Sequence, residues 1–341
     1  MKYPSAIEMT HHLLIGAGFS RNWGGWLASE AFEFLLGCPE ITDYPQLAPL
    51  LWKHQPTGGF EGALEELQNT CEQDPQNDRG PLDALQAAVV RMFSDMNNAF
   101  MTTTHWEFQT FRDRQVGAFL TRFDSIFSLN QDVLIEHNYI GPGTASIGGI
   151  RRWDGVQMPG LRKVMATEGL DGNSWAKATW FPDSAPNFAI DARSQLFIKL
   201  HGSSNWKRSD GSNLLIMGGA KAREIGRIPL LNRYAEIFEE TLCTAGAKLM
   251  VIGYGFRDPH INEAIQRGIN QGLKLFIIAP DGADIARNLN QSCKAAIPVE
   301  TPLQSMLAHS LIGASRRRLR EIFGEDTAEH NKVMRFFGSG Q

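Results

Sequence analysis

The chain has 341 residues, 43% hydrophobic and 21% charged, a globular balance that excludes disordered and fibrous classes and allows one large domain or two ordinary ones. Its 33 basic and 37 acidic residues leave a net charge of −4, so it lacks the global basic field of a nucleic-acid binder, and no direct nucleic-acid contact is expected. The four cysteines, Cys38, Cys71, Cys243 and Cys293, form no C-x-x-C pair, which excludes a zinc ribbon and argues against a disulfide framework. No apolar run approaches the ~18 residues of a membrane span, and residues 1–10 lack the apolar stretch of a signal peptide, so a reduced, cytoplasmic protein without membrane attachment is expected.

In chain order, short apolar β-type runs lie at 12–15, 125–129, 196–200, 248–252, 273–278 and 296–299, most running into Gly, Asn or His and then into a helical pattern. Near-continuous apolar strands alternating with helices predict an α/β fold: a doubly wound parallel sheet covered on both faces, with ligands at the carboxyl ends of its strands. A helix is expected over 21–36. Between 39 and 81 the chain is rich in Pro, Gly and polar residues around a helical stretch at 61–70, and 81–100 and 105–123 read as amphipathic helices, so a helical insertion is expected over about 40–123. Residues 141–190 carry G-P-G at 141–143 and Trp153, Trp175 and Trp180; so long a Gly-rich stretch predicts an irregular subdomain or an active-site cover. The domain is expected to span 1–300, with a C-terminal helical tail at 301–341.

The clearest local signal is Leu13-Leu14-Ile15-Gly16-Ala17-Gly18-Phe19-Ser20. Gly16 and Gly18 let backbone approach a phosphate, a following helix N-terminus offers N–H groups, and Ser20 adds a hydroxyl; a tight turn that binds nothing is the alternative. It is not G-x-G-x-x-G, because Arg21 fills the sixth position. At the end of the next strand, Asn130 and Asp132 of Leu129-Asn130-Gln131-Asp132 either meet a ribose, a water or a carboxamide, or cap a helix beginning near Val133. His201, in Leu200-His201-Gly202-Ser203, is either a general base near neutral pH or a satisfied structural histidine. Ile252-Gly253-Tyr254-Gly255-Phe256 is a further glycine turn before Asp258-Pro259-His260 opens a helix, suited to a second phosphate or a ribose, or to the turn alone. No G-x-S-x-G elbow or H-E-x-x-H is present.

Four strand-end motifs in the order GAGFS, LNQD, LHGS, IGYGF resemble the sirtuin family, whose motifs read GAGxS, QNxD and HG before a later glycine turn. The likeness runs from His12 to about Ala279 and looks closest to the sirtuin-like NAD-cleaving effectors of bacterial anti-phage defence. It implies a Rossmann-like domain that takes NAD as substrate and needs no metal. By the resemblance, Gly16, Ala17, Gly18, Phe19 and Ser20 form the pyrophosphate loop, Asn130 and Asp132 contact the nicotinamide and its ribose, and His201 is the catalytic base. Gly253, Tyr254 and Gly255 face the adenosine, with Ala279-Pro280-Asp281 a weaker match there. The chain departs from sirtuin deacylases in lacking paired cysteines, in Leu129 and Gln131, and in having no F-G-E segment after His201, which weighs against protein deacylation.

The chemistry implied is NAD hydrolysis to nicotinamide and ADP-ribose, in which positioning and electrostatics carry most of the catalysis because nicotinamide leaves as a neutral molecule. Asp132 would orient the carboxamide, Asn130 hold a water at C1′, and His201 take the proton. The alternatives are a non-catalytic NAD or ADP-ribose sensor and, third, an NAD-dependent deacylase. An NAD-depleting, abortive-infection effector needs control, and 341 residues leave no room for a sensor domain. The expected partners are therefore a homo-oligomer and a separate regulatory protein of Argonaute-like, hexameric ATPase or nucleotide-processing type. The tail from Ser315 to Phe337, with Arg316, Arg317, Arg318 and Arg320, is either a docking surface for it or a solvated face.

Overall fold

The computed structural model describes residues 10–56, 58–74, 78–102, 105–140, 146–147, 150–164, 174–183, 188–285, 307 and 309–338. The first apolar run forms β1 (His11–Ile15), with Leu13, Leu14 and Ile15 buried on both faces and His12 satisfied through Nδ1 by the Ser125 hydroxyl at 2.8 Å. The remaining strands are β2 (Ser125–Ser128), β3 (Ser146–Ile147), β4 (Ile150–Arg151), β5 (Gly155–Gln157), β6 (Leu161–Val164), β7 (Thr179–Pro182), β8 (Ser194–Lys199), β9 (Gly202–Lys207), β10 (Asn213–Leu215), β11 (Lys248–Ile252), β12 (Lys274–Ile278) and β13 (Leu311–Ser315).

Seven of these make a parallel sheet in the order β13-β12-β11-β1-β2-β8-β5. From β1 the chain builds one side through β2, β5 and β8, then crosses back to β11 and builds the other. The direction of winding reverses between β1 and β11, where an open α/β sheet leaves a crevice at its carboxyl edge. Helices flank the sheet, as the unbroken apolar strands require: Pro229–Leu242 buries Leu230, Leu231, Tyr234, Ile237, Phe238 and Leu242 at helical spacing, with Phe238 edge-on to Phe127 of β2. The fold is Rossmann-like and doubly wound.

Between β1 and β2 the chain forms helices Ala28–Leu36, Pro39–Thr42, Leu47–His54, Gly59–Gln73 and Gly80–Met101. The longest buries Leu82, Leu85, Val89, Met92, Phe93, Met96 and Phe100. Two expected helices are shorter than their patterns. After Gly16 the chain makes only the turn Ala17–Ser20 and a 3-10 turn Arg21–Trp23 before Gly24, at φ 91°, breaks the path ahead of Ala28–Leu36. Over 105–123 the helix is confined to Val116–Leu120, because the Glu107 carboxylate accepts the amides of Val116 and Gly117 at its start while Trp106 and Phe108 stack on Trp23.

The Gly-rich stretch is more regular than expected. β5 joins the edge of the main sheet, and β6 and β7 pair with each other and then, through β9, with β10 in a second, mixed sheet of order β10-β9-β7-β6. The run at 296–299 lies outside the described residues, and β13 forms an edge of the main sheet within the stretch read as a helical tail. Beyond it Leu319, Ile322, Phe323, Val333 and Phe336 are buried, and Phe323 packs on Phe119. The tail's arginines turn to their own chain: Arg316 pairs with Asp284 at 2.5 Å, Arg317 with Glu321 and Asp326, and Arg320 lies over Phe108. Among the described residues no helix is long and apolar enough to cross a membrane.

Candidate functional site

The carboxyl ends of β1, β2, β8 and β11 open on one cavity of about 300 Å³. Gly16, Ala17, Ser20, Asn130, Asp132, His201, Gly253, Tyr254 and Gly255 all line it, so the four sequence motifs meet in space. Gly18 and Phe19 lie behind it; Phe19 is fully buried against Trp23. Trp26 and Leu27, just before helix Ala28–Leu36, and Phe60, Met92, Phe93 and Met96 of the helical insertion give the cavity an apolar wall.

The two glycine turns are pressed together. The Gly16 amide donates to Ile252 O at 3.0 Å, Gly18 N to Gly253 O at 3.0 Å, and Phe19 N to Gly16 O at 2.8 Å. A Cβ on Gly16 would stand 2.7 Å from Gly253 O, and one on Gly18 2.7 Å from Gly253 Cα. These glycines therefore let two backbones meet, and three loop amides donate inside the protein rather than toward the cavity. The short turn Ala17–Ser20 replaces the long helix expected to supply a dipole. Tyr254 is likewise occupied: its hydroxyl accepts the Asp258 amide at 3.0 Å and donates to Asn262 Oδ1 at 3.0 Å, bracing its own loop.

The end of β2 is a polar network. Asn130 Nδ2 donates to Ser20 Oγ at 2.9 Å, and Ser20 Oγ donates to Asp132 Oδ2 at 2.8 Å. Asp132 Oδ1 accepts the Leu134 amide at 3.0 Å, two residues on in the turn that leads into the π-helix Glu136–Ile140. Burial pushes the Asp132 carboxyl above the usual range, against the pull of Lys199, the Leu134 amide and Ser20. Gln131 Nε2 donates to His201 O at 3.1 Å and to Ile216 O at 2.7 Å, tying the end of β2 to the end of β8. Beneath, the fully buried Lys199 ammonium reaches Asp132 O at 2.5 Å, Glu136 Oε1 at 2.6 Å and Ser203 Oγ at 2.8 Å, joining the two motif-bearing loops again.

His201 is 3% exposed. Gly202 beside it has φ +74°, and a Cβ there would stand 2.1 Å from Leu214 O, which accounts for the glycine of the His-Gly pair. His201 Nε2 meets His260 Nε2 at 3.0 Å. Burial, with help from Lys221 and His260, pulls the His201 pKa down to about 3 despite Asp258, so the ring is neutral at pH 7. Lys221 Nζ bridges Glu61 Oε2 at 2.9 Å and Asp258 Oδ1 at 2.8 Å, linking the helical insertion to the loop after β11. Burial pushes the Asp258 carboxyl up, but His201, Lys221 and His260 together outweigh it and hold it below the carboxylate range.

Glu61, Lys221, Arg257 and Asp258 also line the cavity, and His260 stands behind His201; none was singled out for chemistry in the sequence. Asp258-Pro259-His260 was legible only as a helix start, with Pro at the first helical position. No family model matches the chain, and no curated protein is significantly similar to it.

Proposed function

We propose that the chain hydrolyses NAD to nicotinamide and ADP-ribose. The observation that carries this reading is the convergence of Asn130, Asp132 and His201, from two different strand ends, with Ser20 in one cavity at the winding reversal of a Rossmann-like sheet. A volume of about 300 Å³ suits the nicotinamide ribose half of the molecule better than the whole, and the apolar wall of Phe60, Phe93 and Met96 suits an aromatic ring. Asn130, held by Ser20, would position a water at C1′. Asp132 keeps lone pairs beyond those that Ser20 and Leu134 use, available to a carboxamide N–H. His201 is neutral at pH 7 but, with its pKa pulled by burial to about 3, it is a weak base by itself, so proton acceptance there would need a second group to carry the charge.

The resemblance of the motifs to sirtuin-like effectors supports a defence role by NAD depletion, restrained by self-assembly or by a separate regulatory protein. The tail is a poor docking element on its own, since it contributes β13 and buried Phe323 and Phe336 to the fold.

A second reading, binding without turnover, is favoured by the engagement of His201 Nε2 with His260 and by the inward donation of the Gly16, Gly18 and Phe19 amides. Calorimetry with NAD and with ADP-ribose, run beside an assay for free nicotinamide, separates the two. Cleavage that disappears in Asn130→Ala supports the enzyme; NAD binding without nicotinamide release supports the sensor.

A further inference from the structure

The residue behind His201 gives the proposed reaction its missing proton path. His201 lines the cavity but is almost wholly buried, and the charged or titratable groups around it are Lys221, Asp258 and His260. A base so buried would keep a poorly solvated positive charge unless a neighbour takes the proton on. His260 is that neighbour: it is half-buried, its Nε2 lies 3.0 Å from His201 Nε2, and it opens the helix Pro259–Asn270 two residues after Asp258. The charged groups facing His260 are Asp258, Lys221 and Glu263. Burial disfavours a positive ring at both histidines, but it is offset at His260 by two carboxylates, Asp258 and Glu263, against Lys221, whereas at His201 only Asp258 opposes Lys221 and His260.

We propose that His260 is the positioning and relay partner of His201, taking the proton His201 removes from the attacking water and passing it to solvent; this rests on the NAD hydrolase reading. In the competent tautomer His201 Nε2–H donates to His260 Nε2, leaving His201 Nδ1 free to accept. The water's oxygen bonds to C1′ as the C1′–N bond breaks, and nicotinamide departs with the bonding electron pair. The water's proton goes to His201 Nδ1, the Nε2 proton of His201 moves to His260, and His260 releases its Nδ1 proton outward. Water and NAD thus give nicotinamide, ADP-ribose and one proton. No oxidant or metal enters the balance.

Two measurements on the full-length protein test this. Nitrogen-detected NMR of the imidazole rings, without nucleotide, should show His201 and His260 sharing one hydrogen bond, with the His201 ring nitrogens shifting in His260→Gln. His201 signals identical in parent and His260→Gln overturn the pairing. Steady-state nicotinamide release from NAD, alone and with the protein encoded beside it, should fall at least about tenfold in kcat for His260→Gln while KM stays within about twofold. Glutamine can hold the hydrogen bond but cannot carry the proton, so a His260→Gln enzyme with parental kcat overturns the relay. In His260→Ala, added imidazole should recover part of the lost rate, and no recovery contradicts a proton role. A paired His201–His260 in a protein that releases no nicotinamide overturns the hydrolase reading instead, so the two failures are distinguishable.

Discussion

Adding one methyl group to each glycine of the two cavity turns should separate those that the fold requires from those left to a ligand. In Gly253→Ala the new Cβ would lie 2.3 Å from Phe19 N and 2.4 Å from Gly18 C, at φ +67°. Both neighbours are backbone and cannot rotate away. Overpacking costs ~1–3 kcal/mol, and an L-residue held left-handed adds about 1–2 kcal/mol, so Gly253→Ala should lose about 2–5 kcal/mol. Gly16→Ala meets Gly253 O at 2.7 Å without the dihedral penalty and should lose only the first part, about 1–3 kcal/mol. Gly255→Ala would touch nothing nearer than the Arg257 side chain at 3.9 Å and should stay within about 0.5 kcal/mol of the parent. Urea unfolding followed by tryptophan fluorescence measures all three. A Gly253→Ala protein as stable as the parent, or a Gly255→Ala protein as damaged as Gly253→Ala, refutes the assignment of these glycines to backbone contact.

Ser20→Ala removes the hydroxyl between Asn130 and Asp132 and leaves two buried polar groups short of a partner, which should cost about 1–3 kcal/mol in the same assay; a neutral result contradicts the network. Lys199→Met strands the buried Glu136 carboxylate and should cost about 3–5 kcal/mol, while Lys199→Met/Glu136→Leu should recover most of it; equal loss in single and double variants would show that the ion pair is not the cause. Acid should destabilise the fold through His201. Its folded pKa lies below the unfolded one, so the unfolded chain binds more protons, and the contribution is present above about pH 6.5 and lost as pH falls toward 3, at up to about 1.4 kcal/mol per pH unit. His260, also lowered by burial, acts with the same sign. His201→Gln should flatten the stability curve between pH 6.5 and 4 measured by urea midpoints, and an unchanged slope contradicts the buried neutral ring.

The sheet and the four strand-end motifs were legible because a strand buried on both faces needs an unbroken apolar run, and the runs ending in Gly16, Asn130, His201 and Gly253 supply the carboxyl edge. What failed was local. The helix pattern over 21–36 ignores Gly24 and Gly25, and that over 105–123 yields to stacking of Trp106 and Phe108 on Trp23. β13 was missed because Leu311-Ile312-Gly313-Ala314-Ser315 is short and only partly apolar, and an edge strand needs less. Within the site, the roles inferred for the glycines are the least secure part of a sequence reading: close backbone contact and phosphate approach ask for the same residue. Lys221, Asp258 and His260 carried no signal of chemistry, because their meaning is a set of distances to Glu61 and His201 from segments far apart in the chain.

The most direct test is chromatography of NAD incubated with the full-length protein, alone and with the protein encoded beside it, on the parent, Asn130→Ala and His201→Ala. Equimolar nicotinamide and ADP-ribose from the parent, and from neither variant, is the result expected of this site. An intact NAD peak under both conditions, or undiminished cleavage by both variants, contradicts the hydrolase reading.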